Sequence, residues 1–253
     1  MLYDSSATTK ELAAAEIQIA VLPIGAIEQH SIHLPLGTDW LAADAVARRV
    51  AEVMAQERDV FLVPAWPFSL SQCHGPMPGT VWLKPRALAD FMRDMVLSLQ
   101  AHGISRIAVV NGHGGNFVLD CEIRELNRLH DELIVLNIAA WPRPGATGQT
   151  GRVTGGDIHA GAGETATQLY LHSDYVRAER VDYIPEVGRE FLDYAYMSQI
   201  SPDGVWGEPS LGTAEVGEYG LQRLAEHMAR SALEAFEQIA RLRGSSTSVQ
   251  EAV

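Results

Sequence analysis

The sequence predicts an α/β fold with a mainly parallel central sheet, and three observations predict it. Segments of strand and helix character alternate from the start of the chain to about Ala140, the pattern of right-handed βαβ units. The run Ile19-Ala20-Val21-Leu22-Pro23-Ile24 is apolar throughout, as a strand covered on both faces must be. The segments between strands repeat their apolar residues at helical spacing rather than in alternation.

The elements follow in order. Glu16 to Gly25 holds the first strand. After a loop rich in Gly, Pro and Thr, Leu41 to Glu57 is an amphipathic helix with Ala42, Val46, Val50 and Val53 on one face. Val60 to Pro64 is a short strand closed by Pro64 and Pro67. Leu88, Phe91, Met92, Met95, Val96 and Leu99 form the stripe of a second helix, stopped near Gly103. Arg106 to Val110 is a strand and Asn111 to Asn116 a glycine-rich turn. A helix follows with Leu119, Ile123, Leu126 and Leu129 or His130 inward, then a strand from Leu133 to Ala139. Gly161 to Leu171 is a further helix. Leu221 to Leu242 closes the chain with Leu221, Leu224, Met228, Ala235 and Ile239 on one face. Pro142 to Gly156 is the loosest stretch and reads as a functional loop, so one domain over 1–253 is expected.

Composition narrows the function. At 253 residues, 47% hydrophobic and 20% charged, the chain suits a large well-filled core. A net charge of −13 argues against a nucleic-acid partner, which needs clustered Lys and Arg. Cys73 and Cys121 form no C-x-x-C pair, so neither a disulfide framework nor a thiolate zinc site is expected. The polar start Met1 to Lys10 and the lack of a long apolar run predict a cytoplasmic protein with no membrane partner.

Chemistry gathers at two strand ends. Glu28-Gln29-His30 follows the first strand, and Asn111-Gly112-His113 follows the strand from Arg106 to Val110. In an open parallel sheet both loops face one crevice. Asp39 lies just before a helix, where a carboxylate can be an N-cap. Carboxylate and imidazole side chains from several short loops are also the donors that Zn²⁺ or Mn²⁺ requires. An isolated E-x-H is common by chance, and its occurrence beside a second strand-end histidine is what gives it weight.

The stretch from Ile24 through Glu28-Gln29-His30, His33-Leu34-Pro35 and Thr38-Asp39 resembles the opening motif of the creatininase (creatinine amidohydrolase) family. Val110-Asn111-Gly112-His113-Gly114-Gly115-Asn116 is similar to its second motif, and His159-Ala160-Gly161-Ala162-Gly163-Glu164-Thr165 to its third. The resemblance implies a three-layer α/β/α sandwich and a site for one or two ions per protomer, Zn²⁺ or alternatively Mn²⁺ or Fe²⁺. It implies hydrolysis of an amide-type C–N bond in a small molecule, and a homo-oligomer, often a hexamer. Glu28, Asp39 and His113 match the ligands of one ion; His30 and Asp39 match those of the other. His159 matches the catalytic histidine, the proton shuttle. The chain departs from the family at Gly115, where creatininase has a glutamate ligand; Glu164 is the carboxylate expected to replace it, as ligand and as part of the catalytic set. His74, Gly114, Gly115 and Trp141 are expected to contact substrate.

Other readings compete. His33 is expected to orient a ligand carboxylate, Cys73 to line the pocket rather than attack substrate, and Cys121 to lie in the core. Asn111 and Asn116 are expected to brace the turn, and Trp206 to be a lid or an oligomer contact. A hydrolase of cyclic carbonyl compounds derived from sugars or inositol is the enzymatic alternative. A phosphate-binding module at Gly112 to Gly115 and a metal-holding assembly protein without chemistry are the non-enzymatic ones. The first lacks the Lys-Ser/Thr ending of a P-loop; the retained His159 argues against the second.

Overall fold

The computed structural model describes residues 1–139 and 156–250, with side chains described to residue 244. Five strands, β1 (Leu2–Tyr3), β2 (Ile19–Ile24), β3 (Val60–Leu62), β4 (Arg106–Asn111) and β5 (Ile134–Ala139), form one parallel sheet in the order β1-β3-β2-β4-β5. The helices are α1 (Thr9–Ala14), α2 (Thr38–Met54), α3 (Pro85–Gln100), α4 (Val118–Leu129), α5 (Ala162–His172), α6 (Met197–Ile200) and α7 (Ala214–Gln250).

The pleat of β2 divides the core in two. Ile19 and Val21 point to the face covered by α2 and α7, where Val46, Val50, Met228 and Phe236 are buried. Ala20, Leu22 and Ile24 point to the other face, where Leu88 and Met92 of α3 and Leu119 and Leu126 of α4 pack. The chain is therefore a three-layer α/β/α sandwich. Every residue of β2 is buried, which is why its sequence shows no polar alternation.

Some details differ from the sequence reading. The edge strand β1 is too short for any periodicity to announce it; its pairing with β3 makes it a strand. Leu129 is exposed, because α4 turns that position outward at its last residue. On α7, which begins earlier than expected, Ala232 and Phe236 are buried where Ala235 is only half-covered. Cys121 is exposed on α4, not in the core, and both cysteines are free thiols. Among the described residues, no helix is long and apolar enough to cross a membrane.

The topology positions the site. The chain leaves β2 toward β3 on one side and returns to β4 on the other, so β2 and β4 are neighbours whose following loops diverge. That divergence opens a crevice at their carboxyl ends. The first turn of α2 drops into it. A Cβ on Gly112, after β4, would lie 2.8 Å from the backbone oxygen of Asp39, so a glycine there is what admits the turn.

Candidate active site

Glu28 sits at the bottom of the crevice, fully buried, and neither carboxylate oxygen has a hydrogen-bond partner among the described residues. Asp39 lies in the first turn of α2, whose N-cap is Gly37 and makes no side-chain bond. Asp39 is therefore not the cap. Its two oxygens turn to two rings instead: Oδ2 is 2.8 Å from His113 Nδ1 and Oδ1 is 3.3 Å from His30 Nε2. Glu164, in the first turn of α5, brings Oε2 to 3.5 Å from the same His30 nitrogen.

Partners on the far side of each ring decide which nitrogen faces the crevice. His30 Nδ1 donates to the Glu28 carbonyl at 3.1 Å, which turns Nε2 toward Asp39 and Glu164. His113 Nε2 donates to the Leu70 carbonyl at 2.9 Å, and its Nδ1 donates to Asp39 Oδ2 at 2.8 Å and lies 3.5 Å from Glu28 Oε1. His159 Nε2 donates to the Gln29 carbonyl at 2.8 Å, and its Nδ1 faces Glu28 Oε1 at 3.6 Å.

His74 is arranged the other way. Gln29 Oε1 accepts the Ser31 backbone N–H at 2.9 Å, which fixes the amide with its nitrogen toward the rings. Gln29 Nε2 then donates to Gly204 O at 3.2 Å and to His74 Nδ1 at 2.7 Å. Its 3.0 Å approach to His159 Nε2 is a contact between two donors, because that ring nitrogen's proton goes to the nearer carbonyl. With Nδ1 accepting, His74 presents Nε2–H to the crevice, 3.6 Å from Glu28 Oε1.

Among the described residues, the backbone outside glycine takes a positive φ at two points, both beside these rings. Ser31 and Ala160 adopt φ of 60° and 50°, rare for residues with a side chain. Each is held by a site residue: Ser31 N–H by Gln29, and Ala160 N–H by Glu164 Oε2 at 2.6 Å.

Charge among these buried side chains is uneven. Burial opposes protonation of His30, but Asp39, Glu164 and Glu28 overcome it and raise its pKa to about 10. Against the same penalty, Glu28 and Asp39 raise His113 to about 9. Asp39 is depressed well below the carboxylate range: burial acts to raise it, and the two rings prevail. Burial, with Asp39 and Asp157 beside it, lifts Glu164 to about 8 against the pull of His30. His159 is held well below its ordinary value by burial and then by His30 and His74. His74 is lowered by burial, with Glu28 opposing.

Among the described residues, three groups of donors lie close enough to hold a metal ion: Glu28, Asp39 and His113; His30, His159 and Glu164; and Glu28, His74 and His159. The residues fit such an ion. Among the same residues, both Glu28 oxygens and His30 Nε2 are buried without a hydrogen-bond partner, a costly arrangement unless a cation completes it. The glycine at 115 has a local cause. A Cβ there would lie 2.4 Å from His113 Nε2 and 2.5 Å from Leu70 O, across the hydrogen bond that orients the ring.

The structure thus brings together Glu28, His30, Asp39, His74, His113, His159 and Glu164, with Gly114 and Gly115 on the cleft wall. Trp141 and nearly all of the loop expected from Pro142 to Gly156 lie outside the described residues. Asn111 Oδ1 accepts from His113 N–H at 3.2 Å and from Asn116 Nδ2 at 3.0 Å, so the two asparagines do brace the turn. His33 bonds to the Thr165 hydroxyl at 3.0 Å and not to a carboxylate, which corrects the expected contact. Trp206 is buried and pairs its backbone with His159, so it is a wall of the site rather than a lid or an exposed contact. Cys73 lines the cleft, its thiol pushed up to about 12 by burial and by Glu28. It is no nucleophile at neutral pH. Gln29 sits inside the first motif, but its place beside His74 and His159 has no signal in the sequence, since those rings come from 45 and 130 residues further along.

The pattern of the Creatininase family, described as creatinine amidohydrolase, matches residues 5–232. A mycofactocin precursor peptide peptidase from Mycobacterium tuberculosis is 32% identical over 227 residues, covering 84% of this chain and 83% of that one. The creatinine amidohydrolase of Pseudomonas putida is 28% identical, covering 86% and 90%. A 3-dehydro-scyllo-inosose hydrolase from Thermotoga maritima is 23% identical, covering 90% and 81%. Among solved structures, a manganese form of creatininase superposes with a TM-score of 0.78 at 24% identity over 93% of this chain and 99% of that one. A zinc–zinc form of a creatininase mutant gives 0.75 at 25% identity over 92% and 98%. With the sandwich, the three motifs at one crevice and a match over most of its length, this chain belongs to the creatininase family of hydrolases.

Proposed function

We propose that this protein is a metal-dependent amidohydrolase that adds water across the C–N bond of a small amide. The observation that carries the reading is the buried Glu28 carboxylate, which has no hydrogen-bond donor among the described residues and faces ring nitrogens of His113 and His159. Such an arrangement is built for a cation rather than for a protein partner. Glu28, Asp39 and His113 would hold one ion, and His30, Asp39 and Glu164 a second. The zinc and manganese forms of creatininase support that choice of metals for the fold.

When bound, divalent ions polarise a carbonyl oxygen and acidify a water molecule. The chain's own residues do the rest. His159 Nδ1 takes a proton from the attacking water and passes it to the departing nitrogen, a role favoured by a ring that is neutral at rest. His74 Nε2–H, held in that tautomer by Gln29, donates to the carbonyl oxygen as negative charge grows there. Glu164 keeps Ala160, and so His159, in the strained conformation that aims the ring.

The test is elemental analysis together with turnover of an amide panel. Two equivalents of Zn, Mn or Fe per chain, with hydrolysis lost on chelation and restored by metal, is the expected result. A protein that retains no metal after reconstitution would overturn the assignment. His159→Ala should keep its metal and lose turnover; losing both would make His159 a ligand instead.

A further inference from the structure

The walls of the cleft beyond these ligands are acidic: Asp120, Asp157, Glu190 and Asp193 join the carboxylates at its floor. Among the described residues that line it, Arg189 is the one lysine or arginine. Its Nη2 donates to the carbonyl of Gly114 at 3.0 Å, one residue along from His113. A Cβ on Gly114 would lie 2.7 Å from that nitrogen, so the bare glycine is what lets the guanidinium settle on the turn. Nε and Nη1 have no hydrogen-bond partner among the described residues. Cys73, Glu28 and Arg189 line one cleft, and the Cys73 thiol feels both charges, so the guanidinium lies within electrostatic reach of the residue next to the floor. Phe117, Ile184, Val187 and Tyr194 line the same cleft and are exposed among the described residues, an apolar rim beside the guanidinium.

A guanidinium fork with free N–H groups is the side chain suited to a carboxylate, because planarity matches two donors to two oxygens. In a chain of net charge −13, such a group is unusual on an acid-walled cleft unless an anion is to be received there. We infer that Arg189, seated on Gly114, anchors a carboxylate carried by the substrate. The substrate class is then an anionic amide, an acylated amino acid or short peptide with a free carboxyl end and an apolar side chain against the rim. This rests on the amidohydrolase reading and narrows it.

The experiment compares, on the metal-loaded enzyme, N-acetyl dipeptides ending in an apolar residue with the same compounds capped as terminal carboxamides. The wild type is expected to favour the free carboxylate by about tenfold to a hundredfold in kcat/KM, mostly through KM. Arg189→Met should bring the ratio of the two forms close to one, and Gly114→Ala should lower it by displacing the guanidinium. Arg189→Lys should retain part of the ratio, since the charge stays and the fork is lost. Equal turnover of both forms by the wild type, or a ratio unchanged in Arg189→Met, would overturn the inference while leaving the hydrolase reading intact. If neither form is turned over, these compounds are not substrates, and the hydrolase reading still rests on metal content and the wider amide panel. Calorimetry with N-acetylphenylalanine against its amide then decides Arg189: carboxylate-specific binding lost in Arg189→Met sustains the anchor, and no such binding ends it.

Discussion

The side-chain nitrogen of Gln29 lies 2.7 Å from Nδ1 of His74, and because the other end of that amide is held by Ser31 N–H, the contact makes His74 a donor toward the crevice. His159, on the same crevice, is held by a backbone carbonyl and faces it with a lone pair. Two rings of the same kind are thereby given opposite tasks by one glutamine and its own carbonyl. Gln29→Glu replaces the donor to His74 with an acceptor. We expect kcat to fall by about 10²-fold with metal content unchanged, checked by steady-state kinetics beside elemental analysis. Unchanged kcat would mean that the tautomer of His74 does not matter to turnover.

Glu164 is expected to hold the second ion in place of the carboxylate that Gly115 does not supply. Glu164→Gln keeps the shape and removes the charge. Its metal content should drop from two equivalents to one, whereas two retained equivalents would show that His30 and Asp39 suffice.

Gly115→Ala places a methyl group across the bond between His113 and Leu70. Overpacking of this kind costs about 1–3 kcal/mol, so the melting temperature should fall and metal affinity with it. An unaltered melting curve would show that the turn relaxes freely.

The metal-free and metal-loaded forms should respond to pH in opposite directions. His30, His113 and Glu164 have pKa values raised to about 10, 9 and 8, above their unfolded values, so each stabilises the metal-free fold at low pH. The loss begins as pH rises past the ordinary values, 4.5 for the Glu164 carboxyl and 6.5 for the two rings, and is complete only above about 10. Metal binding displaces those protons, so metal-loaded protein should instead lose its ions on acidification and release protons when they are taken up. Thermal melts of both forms across pH, with proton release read in two buffers, check this. Parallel pH curves for the two forms would count against a cation at these residues.

Phe236 of α7 is fully covered by the sheet face that carries Ile19 and Val21. Phe236→Ala should cost about 3–5 kcal/mol of stability by denaturant unfolding. A much smaller loss would mean that α7 closes the cavity by shifting.

Much of this was legible in the sequence. The continuous apolar run of β2 and the helical stripes of α2 and α3 follow from burial periodicity, which acts locally. The acids and histidines after β2 and β4 had to share a crevice once the sheet was parallel. Less local features were not legible. β1 exists only through its partner, and Cys121, two residues from both buried Leu119 and Ile123, falls on the outward face of α4.

By itself the sequence determined the fold class and the residue types gathered at two strand ends, because both depend on the order and spacing of side chains along the chain. Only the tertiary structure decided which nitrogen of each histidine faces the crevice, that Asp39 serves two rings rather than a helix end, and that Arg189 rests on Gly114. Those outcomes depend on hydrogen bonds between residues as far apart as Gln29 and His159, and a donor's partner is fixed only when folding brings the two together.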